Sequence, residues 1–202
     1  MMGKKSRGFS MLELLIVISI GLTMATISVL ALMPVLKQDH LDIAYDTTLS
    51  LIRTYRSQAI TQSKRYVLLF TAPGTITVQY WGVGVPVSPP PVTVATYTLP
   101  SDIEFAVQTG FPNPGPDNFG NGTSALAVNA CSVIGGGQPC VIFYPDGSAQ
   151  DDLGNYNSGV LYLTRPSSDA YSSRAIDIYG TTGRARGWRL YNQGGANTWV
   201  QQ

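Results

Sequence analysis

Three groups of residues in this 202-residue chain have the types and spacing to do chemistry. The first is Glu13, a carboxyl at the front edge of a run without charge from Leu14 to Leu36. Placing an acidic side chain at the centre of a bilayer helix costs roughly 2.5–3.5 kcal/mol on insertion scales. Near the helix N-terminus the cost is smaller, because the dipole there partly compensates it. Such a group invites a cationic partner. A free α-amine at Phe9 would supply one, and it exists only if the Gly8–Phe9 peptide bond is cut. The second group is Cys131 and Cys140, which bracket Gly135, Gly136 and Gly137. In an exported segment they can oxidise to a single intramolecular bridge clamping that loop. A metal site is disfavoured, since no second Cys pair or nearby His completes it. The third group is Arg184 and Arg186 in Gly183-Arg184-Ala185-Arg186. Alternate strand residues point the same way, so the two share a face that Arg189 or Arg174 could join. Guanidinium groups fit phosphate oxygens bidentately. The plain alternative is a solvated turn or a motif kept for packing.

Weaker candidates point elsewhere. Asp146, Asp151, Asp152 and Asn155 cluster in sequence, and oxygen ligands at that density can hold calcium. Their spacing does not match an EF-hand, and acidic loop residues are usually solvated. The single histidine, His40, follows the apolar run with no Cys or Ser partner in sight. No phosphate loop or metalloprotease motif is present. The chain is therefore not expected to be an enzyme, and no cofactor is expected. The net charge of +1 is also misleading, because Lys4, Lys5 and Arg7 crowd the first eight residues. Without them ten basic side chains face twelve acidic ones, a net of −2. That leaves no global basic field for nucleic acid.

The elements that must position these residues follow from hydrophobic period. As a helix, Leu14 to Leu36 would be about 34 Å long, enough to cross the hydrocarbon core. The basic cluster before it favours a cytoplasmic N-terminus and a translocated C-terminal part. A secretory signal would have a shorter apolar core and an Ala-x-Ala-like site, which Ala25 and Ala31 do not form. Pro34 predicts a kink or local break near the end of the run. Residues 37–64 continue in helical period, with Leu41, Ala44, Thr48, Leu51, Ile52, Tyr55 and Ala59 on one stripe. Beyond Lys64 the pattern turns to strands. They are expected over 66–70, 75–81, 93–99, 103–107, 125–128, 141–144, 160–164, 174–179 and 188–191. Pro73-Gly74 reads as a turn, 83–91 as a Pro-rich irregular stretch, and 109–123 as a long loop. The fold class is α+β: a long N-terminal helix, transmembrane then amphipathic, packed on an antiparallel β-sheet domain.

The string Lys4-Lys5-Ser6-Arg7-Gly8-Phe9-Ser10-Met11-Leu12-Glu13-Leu14-Leu15-Ile16-Val17 resembles the class III signal of type IV prepilins and type II secretion pseudopilins. The resemblance implies that prepilin peptidase cuts after Gly8 and methylates Phe9. It implies that Glu13 pairs with the N-terminal amine of a neighbouring subunit during assembly. The organisation it implies is a leader over 1–8, a transmembrane and filament-core helix over 9–36, and an exported pilin-like domain with its amphipathic helix over 37–202. Further along, Arg56-Ser57-Gln58-Ala59-Ile60, Phe143-Tyr144-Pro145-Asp146-Gly147-Ser148 and the stretch from Ile176 to Arg186 look like the pseudopilin H and FimT-type minor pilin branch. This implies a structural subunit of a type IV pilus or a type II secretion pseudopilus. Its partners would be prepilin peptidase, other pilins or pseudopilins, and the bacterial inner membrane, with the C-terminal domain periplasmic or extracellular. The G-R-x-R pattern resembles the C-terminal motif of FimT-type minor pilins, some of which are implicated in DNA capture. The alternative it implies is DNA contact through Arg184, Arg186 and Arg189.

Overall fold

The computed structural model describes residues 10–82, 91–166 and 170–202, the side chains of Leu30, residues 32–38 and Ser172 apart. Gly8, Phe9 and most of the Pro-rich stretch 83–91 lie outside the described residues. One helix, α1, spans Met11–Gln62. Its assignment continues through Pro34, so the break expected there does not occur. Proline lacks the N–H that would bond the carbonyl four residues back, and the helix carries that missing rung. The chain divides into two compact units, residues 1–39 and 40–202.

In the second unit the helix stripe is the organising surface. Leu41, Ala44, Thr48, Leu51, Ile52, Tyr55 and Ala59 are all buried, joined by Tyr45 and Leu49. Thr48 can sit there because its hydroxyl donates to the Ala44 carbonyl at 2.7 Å, which satisfies the one polar group the stripe would otherwise strand.

Twelve strands follow: β1 (Arg65–Thr71), β2 (Thr75–Trp81), β3 (Val92–Thr98), β4 (Glu104–Phe105), β5 (Leu126–Ala127), β6 (Ala130–Cys131), β7 (Gln138–Phe143), β8 (Ala149–Gln150), β9 (Gly159–Thr164), β10 (Arg174–Tyr179), β11 (Arg184–Gln193) and β12 (Ala196–Gln201). All pair antiparallel, in two sheets rather than one. The first has the order β3-β2-β1-β7-β6, with β8 also on β7. The second has the order β12-β11-β10-β9-β4, with β5 also on β9. Each sheet turns one face to the helix. Leu68, Phe70, Ile76 and Phe143 from the first sheet and Leu161, Leu163, Ile176 and Ile178 from the second share a core with the stripe. Each fully buried side chain of this kind contributes about 1.5–3 kcal/mol, so the stripe and the two inner faces dominate the fold's stability.

The other faces carry smaller cores. Val67, Leu69, Trp81 and Ile142 gather around the two cysteines. Val160, Tyr162, Ala175, Leu190 and Trp199 form the third cluster. Strands β1 and β9 therefore bury both faces, which is why they read as near-continuous apolar runs. The long loop 109–123 holds one short 3-10 turn at Pro116–Asn118.

Candidate functional site

The apolar part of α1 is built to stand in lipid. Met11–Val29 has a mean hydropathy of 2.1, and none of it is buried within the protein. It is long and apolar enough to cross a membrane. Its four hydroxyls are satisfied inside the helix. Ser19, Thr26 and Ser28 donate to the carbonyls of Leu15, Leu22 and Met24, and Thr23 donates to Ile20, all at 2.8–2.9 Å. In hydrocarbon, where no water can serve, that internal bonding removes a cost of several kcal/mol per group. Glu13 lies exposed in the first turn, where the helix dipole favours a carboxylate.

Arg184 and Arg186 sit on β11, whose register explains their surroundings. Tyr179 faces Arg184, Asp177 faces Arg186, and Arg174 faces Arg189. By strand alternation Arg184 and Arg186 share one face of the sheet. Arg189 lies on the opposite face, beside Arg174, so it does not join them. It lines a cavity of about 470 Å³ with Asp42, Tyr45 and Arg174, where Arg174 pairs with Asp42 at 2.5 Å.

The two arginines of the motif differ in what they do. Arg186 is engaged: its guanidinium bonds Asp117 at 2.8 Å and the Tyr179 hydroxyl at 3.1 Å, and stands over the Tyr179 ring. Tyr179 also donates to Asp117. Beneath them lies Asp177, fully buried, whose carboxylate accepts the Arg186 backbone N–H at 3.0 Å. Burial and the adjacent Asp117 carboxylate push Asp177 up to about 7. Asp117 itself is held below the usual carboxylate range. Burial opposes its ionisation, but bonds from Tyr179 and Asp177 and the Arg186 ion pair outweigh it. Arg184, in contrast, is exposed and makes no side-chain hydrogen bond or ion pair among the described residues.

The small residues of the motif seat the helix. A Cβ on Gly187 would overlap the Tyr45 hydroxyl, and one on Gly183, where φ is +60°, would overlap the Gly147 carbonyl and crowd Arg56. Ala185 between them is buried in the main core. Arg56 completes the docking by donating from Nε to the carbonyls of Gly147 at 3.1 Å and Thr182 at 2.9 Å. At the edge of this seat Arg53, Arg56, Arg184 and Arg186 line a notch of about 260 Å³.

The remaining candidates have structural partners. Cys131 and Cys140 form a disulfide, with Cα atoms 5.6 Å apart. The acidic cluster organises loops. Asp151 accepts from Asn129, Asn155 and the backbone N–H groups of Leu153 and Asn155. Asp152 accepts from the N–H groups of Val133 and Ile134, and Asp146 from Ser148. His40 is not isolated: its Nδ1 lies 3.1 Å from Asp102, which also receives Arg165 at 3.0 Å.

Asp117, Asp177, Arg53 and Tyr45 have no motif to announce them. A carboxyl between two isoleucines at Ile176-Asp177-Ile178 was the one available signal, since a charge in a buried strand needs a partner.

No curated protein and no solved structure matches the chain. The model of the prokaryotic N-terminal methylation motif matches residues 3–29, the stretch that ends where the unburied apolar helix segment ends. By that motif and the α+β fold behind it, the chain is a type IV pilin-like protein and a substrate for prepilin peptidase.

Proposed function

We propose that this chain is a minor pilin or pseudopilin, a structural and assembly subunit of a type IV pilus or type II secretion pseudopilus. The observation that carries the reading is the conjunction of the methylation motif over residues 3–29 with a 19-residue apolar helix segment that nothing in the protein covers. An uncovered face of that size is stable only in lipid or against other apolar helices. The chain would first stand in the bacterial inner membrane with residues 40–202 on the outer side, and then pass into the filament. Its work would be packing rather than catalysis, with Glu13 neutralised by the amine that cleavage creates at Phe9. The test has two parts. The mature protein should begin at methylated Phe9 by mass analysis. Glu13→Val should still be inserted and processed, but should enter filaments poorly. Normal incorporation of that variant, or an assembled chain that keeps its first eight residues, would refute the reading.

The second reading is a DNA-binding minor pilin that uses Arg184 and Arg186. The exposure of Arg184 supports it; the engagement of Arg186 with Asp117 weighs against it. Salt-sensitive DNA binding that is lost in Arg184→Ala plus Arg186→Ala supports this reading. No binding at low salt removes it.

A further inference from the structure

The outer face of α1 carries opposite charges that its own fold leaves unmatched. Asp46 and Arg53 are both exposed, and neither makes a hydrogen bond or ion pair among the described residues. They stand seven residues apart, about 10.5 Å along the axis. Intrahelical pairs form at three or four residues, so these two are on one stripe yet out of each other's reach. Between them Ser50 and Thr54 are small, and the surface forms a shallow depression of about 450 Å³ bounded by Asp46 and Arg53. Arg53 also borders the notch that holds Arg184. The basic end of the stripe is therefore reinforced by a second unpaired guanidinium, and the acidic end is not.

We infer that this face docks a second copy of the same chain, displaced along the helix axis so that its Asp46 enters the notch between Arg53 and Arg184. The inference rests on the proposed function in one respect: anchored chains all point the same way, so their helices run parallel. At equal height, parallel copies would set Asp46 beside Asp46 and Arg53 beside Arg53, which is repulsive. A shift of seven residues brings Asp46 level with Arg53 and replaces repulsion by attraction. The contact is head-to-tail, so it leaves a free acidic end and a free basic end for further copies. Ser50 and Thr54 would let the second backbone approach closely. A nucleic acid would use the same arginines but has no use for Asp46 or for the small residues beside it.

The test keeps the charges in place. Full-length Arg53→Lys chains, assembled in bacterial membranes and treated with a carbodiimide, should give a dimer whose cross-linked peptides join position 46 of one chain to position 53 of another. That product should vanish in Arg53→Lys plus Asp46→Asn. Asp46→Arg, at an exposed site, should fold with its disulfide intact yet enter filaments at least ten-fold less often. Chains that are processed and assembled without the 46–53 link overturn the stagger alone. Chains that are never assembled, with or without these changes, overturn the reading beneath it. A link found only to a different pilin overturns the choice of partner. Arg53→Glu plus Arg184→Glu that abolishes DNA retention while Asp46→Arg leaves assembly unchanged assigns the notch to nucleic acid and overturns the inference.

Discussion

Replacing Asp177 by Asn should remove a large part of the pH dependence of folding. Asp177 is fully buried and titrates near 7 in the folded protein, pushed up by burial and by the Asp117 carboxylate. In the unfolded chain it returns to an ordinary value of about 3.9. A carboxyl whose folded value is the higher one stabilises the fold fully below its unfolded value, and that stability is lost as pH rises through the folded value. The gap is about three units, and at about 1.4 kcal/mol per unit the ceiling is about 4 kcal/mol. Asp177 and Asp117 share this interaction, so a loss of roughly 2–4 kcal/mol between pH 4 and pH 8 is expected. Asparagine keeps the acceptor for the Arg186 N–H and offers an amide to Asp117, without a second charge. Urea unfolding of the full chain in detergent, at pH 5, 6, 7 and 8, gives both curves, and their difference isolates this residue from His40. The parent should weaken steadily over that range, and the variant should be the more stable protein at pH 8. Parallel curves for parent and variant would refute the reasoning.

Three further outcomes follow from the geometry. Gly187→Ala should cost about 1–3 kcal/mol by overpacking against Tyr45, and Tyr45→Ala in the same chain should recover part of that cost in a double-mutant cycle on the thermal midpoint. Opening the Cys131–Cys140 bridge by Cys131→Ser plus Cys140→Ser frees a loop of about ten residues, worth roughly 2.5–3 kcal/mol by chain entropy; the melt should shift down by several degrees and a reductant should then have no added effect. Glu13→Val should lower filament incorporation while leaving the melting of the β-rich unit unchanged, because Glu13 lies outside that unit.

The sequence made the period-driven parts of this fold legible. The helix stripe from Leu41 to Ala59 is buried at every position its spacing names. The strands around Val67, Ile76, Leu161 and Ile176 lie where apolar alternation or continuous apolar runs place them. What escaped were elements whose reason is tertiary. Strand β12 (Ala196–Gln201) is written in small and polar residues around Gly194-Gly195, and its pairing with β11 supplies the order that its composition lacks. Strand β11 begins at Arg184 rather than Trp188, because Ala185 and Gly187 face the helix and carry no hydrophobic signal of their own. The two-residue strands β6 and β8 are set by their neighbour β7. At the candidate site the shared face of Arg184 and Arg186 followed from strand alternation. The partner of Arg186 did not, since Asp117 lies 69 residues earlier in an irregular loop. Arg189 fell on the other face by the same parity that unites the first two.

The seat formed by Gly183, Ala185 and Gly187 has a consequence for how the motif should be used. Its glycines and its arginines answer to different demands: the former let Arg56 and Tyr45 close onto the sheet, while the latter point away from that closure. Evolution can therefore exchange the charged positions without disturbing the docking, and can hold the docking fixed while a lineage acquires or loses a ligand. A survey that gathers chains by the whole five-residue pattern will sort them by architecture. Sorting them by what they grip requires scoring positions 53 and 184 together, a pairing that no linear pattern contains.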